Sequence, residues 1–174
     1  MKHNIKKYII AVISVIILVF LDQWSKWLAI SKLNPQNGGS DVIIWDGVFR
    51  LHYLENRGAA FGMLQGQKII LIAVTIIIFL AVCWIFTRIP DEKKFLPLQW
   101  ICIFVLAGAV GNFIDRMRFS FVVDFFYFEL INFPIFNVAD IYVTCSVILF
   151  IILFIFYYKE ADLDRIFPKK KEAA

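Results

Sequence analysis

Four long apolar stretches constrain this chain more than any other feature of its sequence. A helix that crosses the hydrocarbon core of a bilayer needs about 20 mostly apolar residues. Four segments have that character, at residues 8–28, 69–86, 95–114 and 138–158. The chain is 61% hydrophobic and only 18% charged, whereas soluble domains are about 45–50% apolar and about 25% charged. The sequence therefore predicts an all-α membrane protein that forms one integral membrane domain over residues 1–174, with outer loops at 29–68 and 115–137.

Lysine and arginine residues at the ends of these segments predict how the chain crosses the membrane. Cytoplasmic loops near helix ends carry an excess of basic residues. One side would carry compact basic groups, namely Lys2, Lys6, Lys7, Arg88, Lys93, Lys94, Lys159, Arg165, Lys169, Lys170 and Lys171. The basic residues of the other side are spread over longer loops, so we expect both termini in the cytoplasm. This clustering of a formal net charge of +4 favours membrane topology over nucleic-acid binding.

The two outer loops carry strand-forming residues. Residues 42–54 predict a short β-hairpin, because Asp46-Gly47 lies between two runs of β-formers and Asp-Gly is a strong turn signal. The single histidine of this hairpin, His52, is expected to be an exposed strand residue. The segment 119–136 is rich in Phe, Val and Tyr, and we expect a short strand or amphipathic turn at the membrane surface.

Aspartates in or beside the apolar segments are the most informative polar residues. An Asp at mid-bilayer costs about 2.5–3.5 kcal/mol on insertion scales, so such residues tend to be paired or functional. Counting about 1.5 Å per helical residue places Asp22, Asp115 and Asp140 on the same side of the membrane at similar depth. Asp124 follows the third segment in the outer loop. Three helices counted independently thus predict one shared polar site on the outer side.

Neighbouring residues on each predicted helix extend this polar site. Residues three and four apart lie on one helical face. This spacing groups Asp22 with Lys26, then Asn112 with Asp115 and Arg116, then Asn137 with Asp140 and Thr144. Asp22 and Lys26 can form an ion pair. Two glycines, Gly108 and Gly111, leave room for a second helix to approach closely.

The inventory of reactive side chains leaves three classes of protein open. With only His3 and His52, a histidine-based zinc site or a Ser-His triad is disfavoured, and three scattered cysteines suggest neither a disulfide framework nor a metal site. Two aspartates that share one proton can activate water for peptide hydrolysis. The same acids could serve a proton-coupled transporter. A structural or assembly protein remains the third reading.

Five sequence blocks carry a resemblance to one family. In chain order they are Asp22-Gln-Trp-Ser-Lys26, Asn56-Arg-Gly-Ala-Ala-Phe-Gly62, Gly108-Ala-Val-Gly-Asn-Phe-Ile-Asp-Arg116, Val122-Val-Asp-Phe125 and Phe136-Asn-Val-Ala-Asp140. Each block alone is weak, but together and in this order they closely resemble the lipoprotein signal peptidase (signal peptidase II) family. One small departure is Ala107, where many members of the family have a second glycine.

The resemblance implies a fold and a location. Members have four transmembrane helices and a small extracytoplasmic β-cradle, which the hairpin at 42–54 would form. They reside in the bacterial cytoplasmic (inner) membrane, with the active site on the extracytoplasmic side. Membrane lipids surround them, and we expect a monomer.

The resemblance also implies an activity and a set of site residues. Members are aspartyl endopeptidases that cleave the signal peptide from a diacylglyceryl-modified prolipoprotein, just before the lipidated cysteine. They need no metal and no organic cofactor, because an Asp dyad activates the water. The dyad maps onto Asp124 and Asp140. Supporting and substrate-binding positions map onto Asn56, Gly108, Asn112, Asp115, Arg116, Asn137, Asp22 and Lys26.

Overall fold

A computed structural model describes residues 5–58 and 63–168. The end of the second sequence block, Ala59-Ala-Phe-Gly62, lies outside the described residues, as do the predicted cytoplasmic anchors Lys2 and Lys169-Lys-Lys171. The α-helices of the described part are α1 (Ile5–Lys32), α2 (Lys68–Arg88), α3 (Leu96–Phe119), α4 (Val138–Phe156) and α5 (Glu160–Ile166). The strands are β1 (Val42–Trp45), β2 (Phe49–Asn56) and β3 (Val122–Phe128).

Helices dominate the structure, as the apolar segments predict. Within the described residues, three stretches are long and apolar enough to cross a membrane, namely Lys68–Arg88, Lys93–Phe119 and Val138–Phe156. The membrane character of the chain is therefore confirmed, and the mostly helical fold with it. α1 is longer still, at 28 residues.

Several helices differ in extent from the sequence prediction, and one was not predicted. α1 spans Ile5–Lys32 where residues 8–28 were expected, so the first outer loop begins after Lys32 and not at residue 29. α3 continues to Phe119, five residues beyond the expected end at Ile114, and stops where Ser120 adopts a left-handed backbone conformation with φ of 67°. Apolar runs alone underestimate this helix, because its last turns carry Asp115 and Arg116, whose polar groups find partners inside the protein. The short helix α5 lies in a segment for which no structure was predicted.

The β-sheet confirms the hairpin and adds a third strand. The strands are antiparallel in the order β1-β2-β3, and the turn between β1 and β2 contains Gly47 with φ of 67°. β3 comes from the segment for which a strand or a turn was expected. Its register places Leu54 opposite Asp124 and Asn56 opposite Val122. The sheet thereby brings the end of the hairpin next to an aspartate of the outer loop.

α3 is the central helix and packs against α1, α2 and α4. Its close approach to α4 depends on Gly108, because a Cβ there would lie 2.6 Å from the backbone oxygen of Ala139 and 2.7 Å from Cγ2 of Val143. A Cβ on Gly111 would lie 2.4 Å from Oδ2 of Asp22. Small residues thus let three helices converge at the end of the protein that carries the sheet, which we call the sheet end.

The opposite end of the protein, which we call the α5 end, is closed by polar contacts. Nζ of Lys7 donates to the backbone oxygens of Phe86 at 2.9 Å and Ile89 at 2.6 Å, near the last turn of α2. Lys94 pairs with Asp162 of α5 at 2.6 Å. These contacts join α1 to α2, and α5 to the turn that precedes α3, at the end opposite the sheet.

A methyl group at Gly108 should separate α3 from α4. Gly108→Ala forces the Cβ against a backbone carbonyl that cannot move without shifting α4, and overpacking of this kind costs about 1–3 kcal/mol. We expect a lower melting temperature in detergent. Met117→Ala on the exposed face of the same helix is the control and should melt like the wild type. Equal melting temperatures for Gly108→Ala and wild type would contradict the close packing.

Candidate active site

Two aspartates meet at the sheet end, one from a strand and one from a helix. Asp124 lies in β3 and is completely buried, whereas Asp140 lies in the first turn of α4 and is partly exposed. Asn137 contacts both. Its Nδ2 donates to Oδ1 of Asp124 at 2.6 Å, and its backbone N–H donates to Oδ2 of Asp140 at 3.2 Å. One residue therefore connects the two carboxyl groups.

Asn137 holds this position because it caps α4. Its Oδ1 accepts the backbone N–H of Asp140 at 3.1 Å, and the reciprocal bond from its own N–H to the Asp140 carboxylate completes a capping box. Asn is among the preferred N-cap residues. The hydrogen bonds that cap α4 therefore also orient the Asp140 side chain.

Two further asparagines supply the remaining donors to the carboxyl groups. Nδ2 of Asn56 donates to Oδ2 of Asp124 at 2.8 Å, and Nδ2 of Asn112 donates to Oδ1 of Asp140 at 2.9 Å. The orientation of the Asn56 amide is set by its Oδ1, which accepts the N–H of Gly58 at 2.9 Å. Each oxygen of both carboxyl groups therefore accepts one hydrogen bond from a neutral donor.

The two carboxyl groups differ in their electrostatic environment. Burial, and to a lesser extent the nearby Asp140 carboxylate, raise the pKa of Asp124 to about 7, although the amides of Asn56 and Asn137 oppose the shift. Asp140 lies at the N-terminus of α4, where the helix dipole favours an anion. The two carboxyl groups therefore have different surroundings, and burial favours the protonated form of Asp124.

Arg116 of α3 also contributes a polar side chain to this site. Its side chain is half-buried, and Nη2 donates to the backbone oxygen of Gly58 at 3.1 Å. It thereby connects the third helix to the loop that follows β2. Its guanidinium adds positive charge near both aspartates.

Three charged residues lie behind the two aspartates. Nζ of Lys26 lies 3.0 Å from Oδ2 of Asp22 and 3.0 Å from Oδ2 of Asp115. The Asp22–Lys26 pair confirms the pairing expected from the four-residue spacing. The second partner, Asp115, comes from a different helix and was not predicted.

A cavity of about 1130 Å³ opens beside the two aspartates. Its polar part includes Asn56, Asn112 and Arg116. Its apolar part is formed by side chains of three helices, among them Ile78 of α2, Val105 of α3 and Val143 of α4. Gly108 lies where the two parts meet.

All ten predicted site residues come together at the sheet end. Six line the cavity: Asn56, Gly108, Asn112, Arg116, Asp124 and Asp140. Asn137 bridges the aspartates from within the protein. Asp22, Lys26 and Asp115 are buried behind them.

The sequence analysis missed the function of Gln23 in this cluster. Nε2 of Gln23 donates to Oδ1 of Asp115 at 2.9 Å. A polar residue at membrane depth next to Asp22 was the available signal. His52 also differs from expectation, since it is only partly exposed, lines the cavity and contacts Asp41 through Nδ1 at 2.8 Å.

Comparison with known proteins places the chain in a family. The sequence profile described as "Signal peptidase (SPase) II" matches residues 14–156. The chain belongs to the signal peptidase II family. It is 37% identical to a lipoprotein signal peptidase of Streptococcus thermophilus (strain CNRZ 1066) over 81% of this chain and 89% of that protein. It is 39% identical to one of Caldanaerobacter subterraneus subsp. tengcongensis over 84% of this chain and 96% of that protein.

Solved structures share the fold of this signal peptidase II family member. A bacterial membrane enzyme determined by the in meso method at 2.3 Å resolution superposes with a TM-score of 0.72 and 30% identity, covering 94% of each chain. A second, at 1.9 Å resolution, has a TM-score of 0.72 and 31% identity over 85% of this chain and 94% of that one. The family resemblance read from the five blocks is thus confirmed.

The cap of α4 and the bond to Asp124 can be separated at Asn137. Asn137→Ala removes both, and loss of the cap alone costs about 1–2 kcal/mol. Asn137→Ser restores an oxygen that can cap α4 but no amide donor. We expect the serine variant to recover most of the free energy of unfolding that the alanine variant loses, measured by denaturation in detergent. Equal destabilisation by both would mean that the bond to Asp124 carries the stability.

The raised pKa of Asp124 predicts a pH-dependent stability. Asp124 binds its proton more tightly in the folded chain, where its pKa is about 7, than in the unfolded chain, where it is about 3.8. Its ionisation therefore lowers stability as pH rises from about 4 to 7. Asp124→Asn cannot ionise, so its melting temperature relative to wild type should be several degrees higher at pH 8 than at pH 4. Asp46→Asn in the exposed hairpin turn is the control. A pH-independent difference for Asp124→Asn would contradict the raised pKa.

Proposed function

We propose that this chain is a membrane aspartyl endopeptidase that cleaves the signal peptide from diacylglyceryl-modified prolipoproteins, just before the lipidated cysteine. Family membership supports a protease of lipoprotein processing. One observation carries the aspartyl mechanism. Asp124 and Asp140 are held by neutral amide donors at the polar end of a cavity whose other end is apolar.

The two aspartates have different tasks in the proposed reaction. Asp140, as the anion, takes a proton from a water molecule while the water oxygen attacks the carbonyl carbon of the scissile peptide bond. Asp124, as the acid, gives its proton to the carbonyl oxygen. The C–N bond then breaks as Asp140 delivers its proton to the leaving nitrogen and Asp124 takes one back from a hydroxyl of the tetrahedral carbon. The sum is one water consumed, one carboxyl and one amine formed, and a dyad restored to its first state.

Neutral donors suit this chemistry better than a cation would. A lysine paired directly with both carboxyl groups would favour two anions, and two anions cannot protonate the carbonyl oxygen. The amides of Asn56, Asn112 and Asn137 fix the geometry without forcing both groups to ionise. Both carboxyl groups and their four donors belong to the same chain, so the proposed dyad needs no residue from a second copy.

The apolar part of the cavity supports a lipid-bearing substrate. Ile78, Val105 and Val143 come from three helices that would face the acyl chains of the bilayer. Two acyl chains attached to a cysteine could remain among lipids there while the peptide bond reaches Asp124 and Asp140. Burial of each CH₂ group of such chains in the membrane is favourable by about 0.8 kcal/mol, so the lipid gives the precursor an anchor beside the cavity that an unmodified peptide lacks.

Four crossings with both termini in the cytoplasm are part of the proposal. α1 carries a face of apolar side chains that are half exposed or more, formed by Ile9, Ile13, Ile16 and Phe20. Such a face suits contact with lipid. The length of α1, 28 residues, supports a fourth crossing.

Basic residues support the direction of these crossings. Arg88, Lys94 and Arg165 belong to the segments that meet at the α5 end. The excess of basic residues on cytoplasmic sides of membranes supports a cytoplasmic α5 end. The sheet end, with the dyad, would then lie on the extracytoplasmic side of a bacterial cytoplasmic membrane.

Cleavage of a lipidated precursor tests the function and the dyad together. Purified wild type should release the signal peptide from a diacylglyceryl-modified precursor, and Asp124→Asn and Asp140→Asn should each be slower by about 10²–10⁴-fold, which is the range for loss of a general acid or base. The same precursor without the lipid should be a poor substrate. The matched control is Asp46→Asn, which makes the same change far from the cavity and should cleave normally.

Each outcome separates one part of the proposal from another. Cleavage by both aspartate variants at the wild-type rate would contradict the dyad while leaving the peptidase function intact. Folded wild type that cannot cleave the lipidated precursor would contradict the function itself. Proton flux into liposomes would then test whether the acids serve a transporter.

A further inference from the structure

The proposed reaction assigns no role to the buried cluster of Asp22, Lys26 and Asp115. The three side chains are at most 2% exposed, and none of them lines the cavity as described. They therefore do not contact a substrate there. Burying three charges in a membrane protein costs several kcal/mol per ion before the ions pair, so their position calls for a physical account.

The two carboxylates of this cluster hold the backbone immediately before each proposed catalytic aspartate. Oδ1 of Asp22 accepts the N–H of Ala139 at 2.9 Å, and Ala139 precedes Asp140. Oδ2 of Asp115 accepts the N–H of Val123 at 3.1 Å, and Val123 precedes Asp124. One carboxylate thus fixes the start of α4, and the other fixes β3.

Lys26 joins these two carboxylates. Its ammonium group lies 3.0 Å from each. Through these two carboxylates, a single nitrogen atom of α1 is connected to both α4 and β3. The third hydrogen of the ammonium group reaches Oδ1 of Asn112 at 2.8 Å. With that oxygen facing Lys26, the amide Nδ2 of Asn112 faces Asp140. Each of the three hydrogens of the Lys26 ammonium group therefore has an acceptor.

We infer that Lys26 is a positioning residue that, through Asp22 and Asp115, sets the separation of Asp124 from Asp140 and, through Asn112, the orientation of a donor to Asp140. This inference rests on the proposed function. The contacts on which it depends can be tested without catalysis, because one buried ammonium group holds two backbone segments and one amide. We call the set of Asp22, Lys26 and Asp115 the bracket.

Gln23 and Gly111 restrict the geometry of the bracket. Gln23 donates to Oδ1 of Asp115 at 2.9 Å and to the backbone oxygen of Gly111 at 3.2 Å. Gly111 in turn admits the Asp22 carboxylate only because it has no Cβ, which would lie 2.4 Å from Oδ2. Loss of the Lys26 ammonium group would leave the two carboxyl groups of the bracket without the cation that they share.

Two variants of the bracket and one control test this inference. Lys26→Met removes the shared cation. The triple variant Asp22→Asn, Lys26→Met, Asp115→Asn removes all three charges and keeps an oxygen that can accept each backbone N–H, which protects folding because replacement of buried ion clusters by neutral groups is often tolerated. Lys94→Met breaks an ion pair of 2.6 Å to Asp162 at the opposite end of the protein and is the matched control.

Hydrogen exchange gives a readout that does not depend on catalysis. The N–H groups of Val123 and Ala139 should exchange at least about tenfold faster in Lys26→Met than in wild type, and they should do so together, since one ammonium group holds both. Lys94→Met should leave both unchanged. Unchanged protection in folded Lys26→Met would overturn the bracket, whatever the chain catalyses. If Lys26→Met does not fold, the triple variant is compared instead. Its neutral amide oxygens accept the two N–H groups more weakly than carboxylates do and no cation joins them, so both groups should again exchange faster than in wild type.

Turnover of the diacylglyceryl-modified precursor gives the second readout. A misplacement on the order of 1 Å far from the chemistry can cost about 10²-fold in rate. We therefore expect kcat to fall by about that factor in the triple variant, with KM within about threefold of wild type, because the cavity wall is unchanged. A kcat at the wild-type level, or a loss confined to KM, would overturn the positioning role. Failure of wild type to cleave would instead contradict the proposed function and leave the exchange result to decide the bracket.

Discussion

A carboxyl group at membrane depth is stable only if something inside the protein compensates it, and this requirement organises the whole sheet end. Four aspartates converge there, and each is compensated in one of two ways. Asp22 and Asp115 share the ammonium group of Lys26, whereas Asp124 and Asp140 accept hydrogen bonds from neutral amides. The difference matters chemically, because a cation favours the charged form of a neighbouring carboxyl group more strongly than a neutral amide donor does.

Close helix packing is the condition under which these contacts can form. An ammonium group can reach both Asp22 and Asp115 only if α1 and α3 come very near to each other, and the missing Cβ of Gly111 permits this approach. Gly108 permits the matching approach of α4. Two glycines one helical turn apart therefore allow the polar groups of three helices to form one cluster. Without this approach, each helix would bury polar groups that lack partners, at a cost in folding free energy.

Much of this site could be predicted from the sequence, for reasons that also explain the limits. Because a helix rises by a fixed distance per residue, counting placed Asp22 and Asp140 at one depth, and the four-residue spacing gave the pairing with Lys26. The contact of Lys26 with Asp115 joins two helices, and no spacing within one helix determines such a contact. β3 was equally hard to assign, since Val122 to Phe125 are all buried and a strand that is buried on both faces lacks the alternation that identifies one.

The asymmetry of the proposed dyad follows from the elements that carry it. Asp140 occupies the first turn of a helix, where unpaired N–H groups and the dipole favour negative charge, and Asn137 fixes it there as the helix cap. Asp124 occupies a strand, where no such field exists, and its complete burial disfavours charge. In the proposed reaction, these different surroundings assign the acid to Asp124 and the base to Asp140 before any substrate arrives. A helix start that faces a buried strand would thus distinguish two chemically identical side chains.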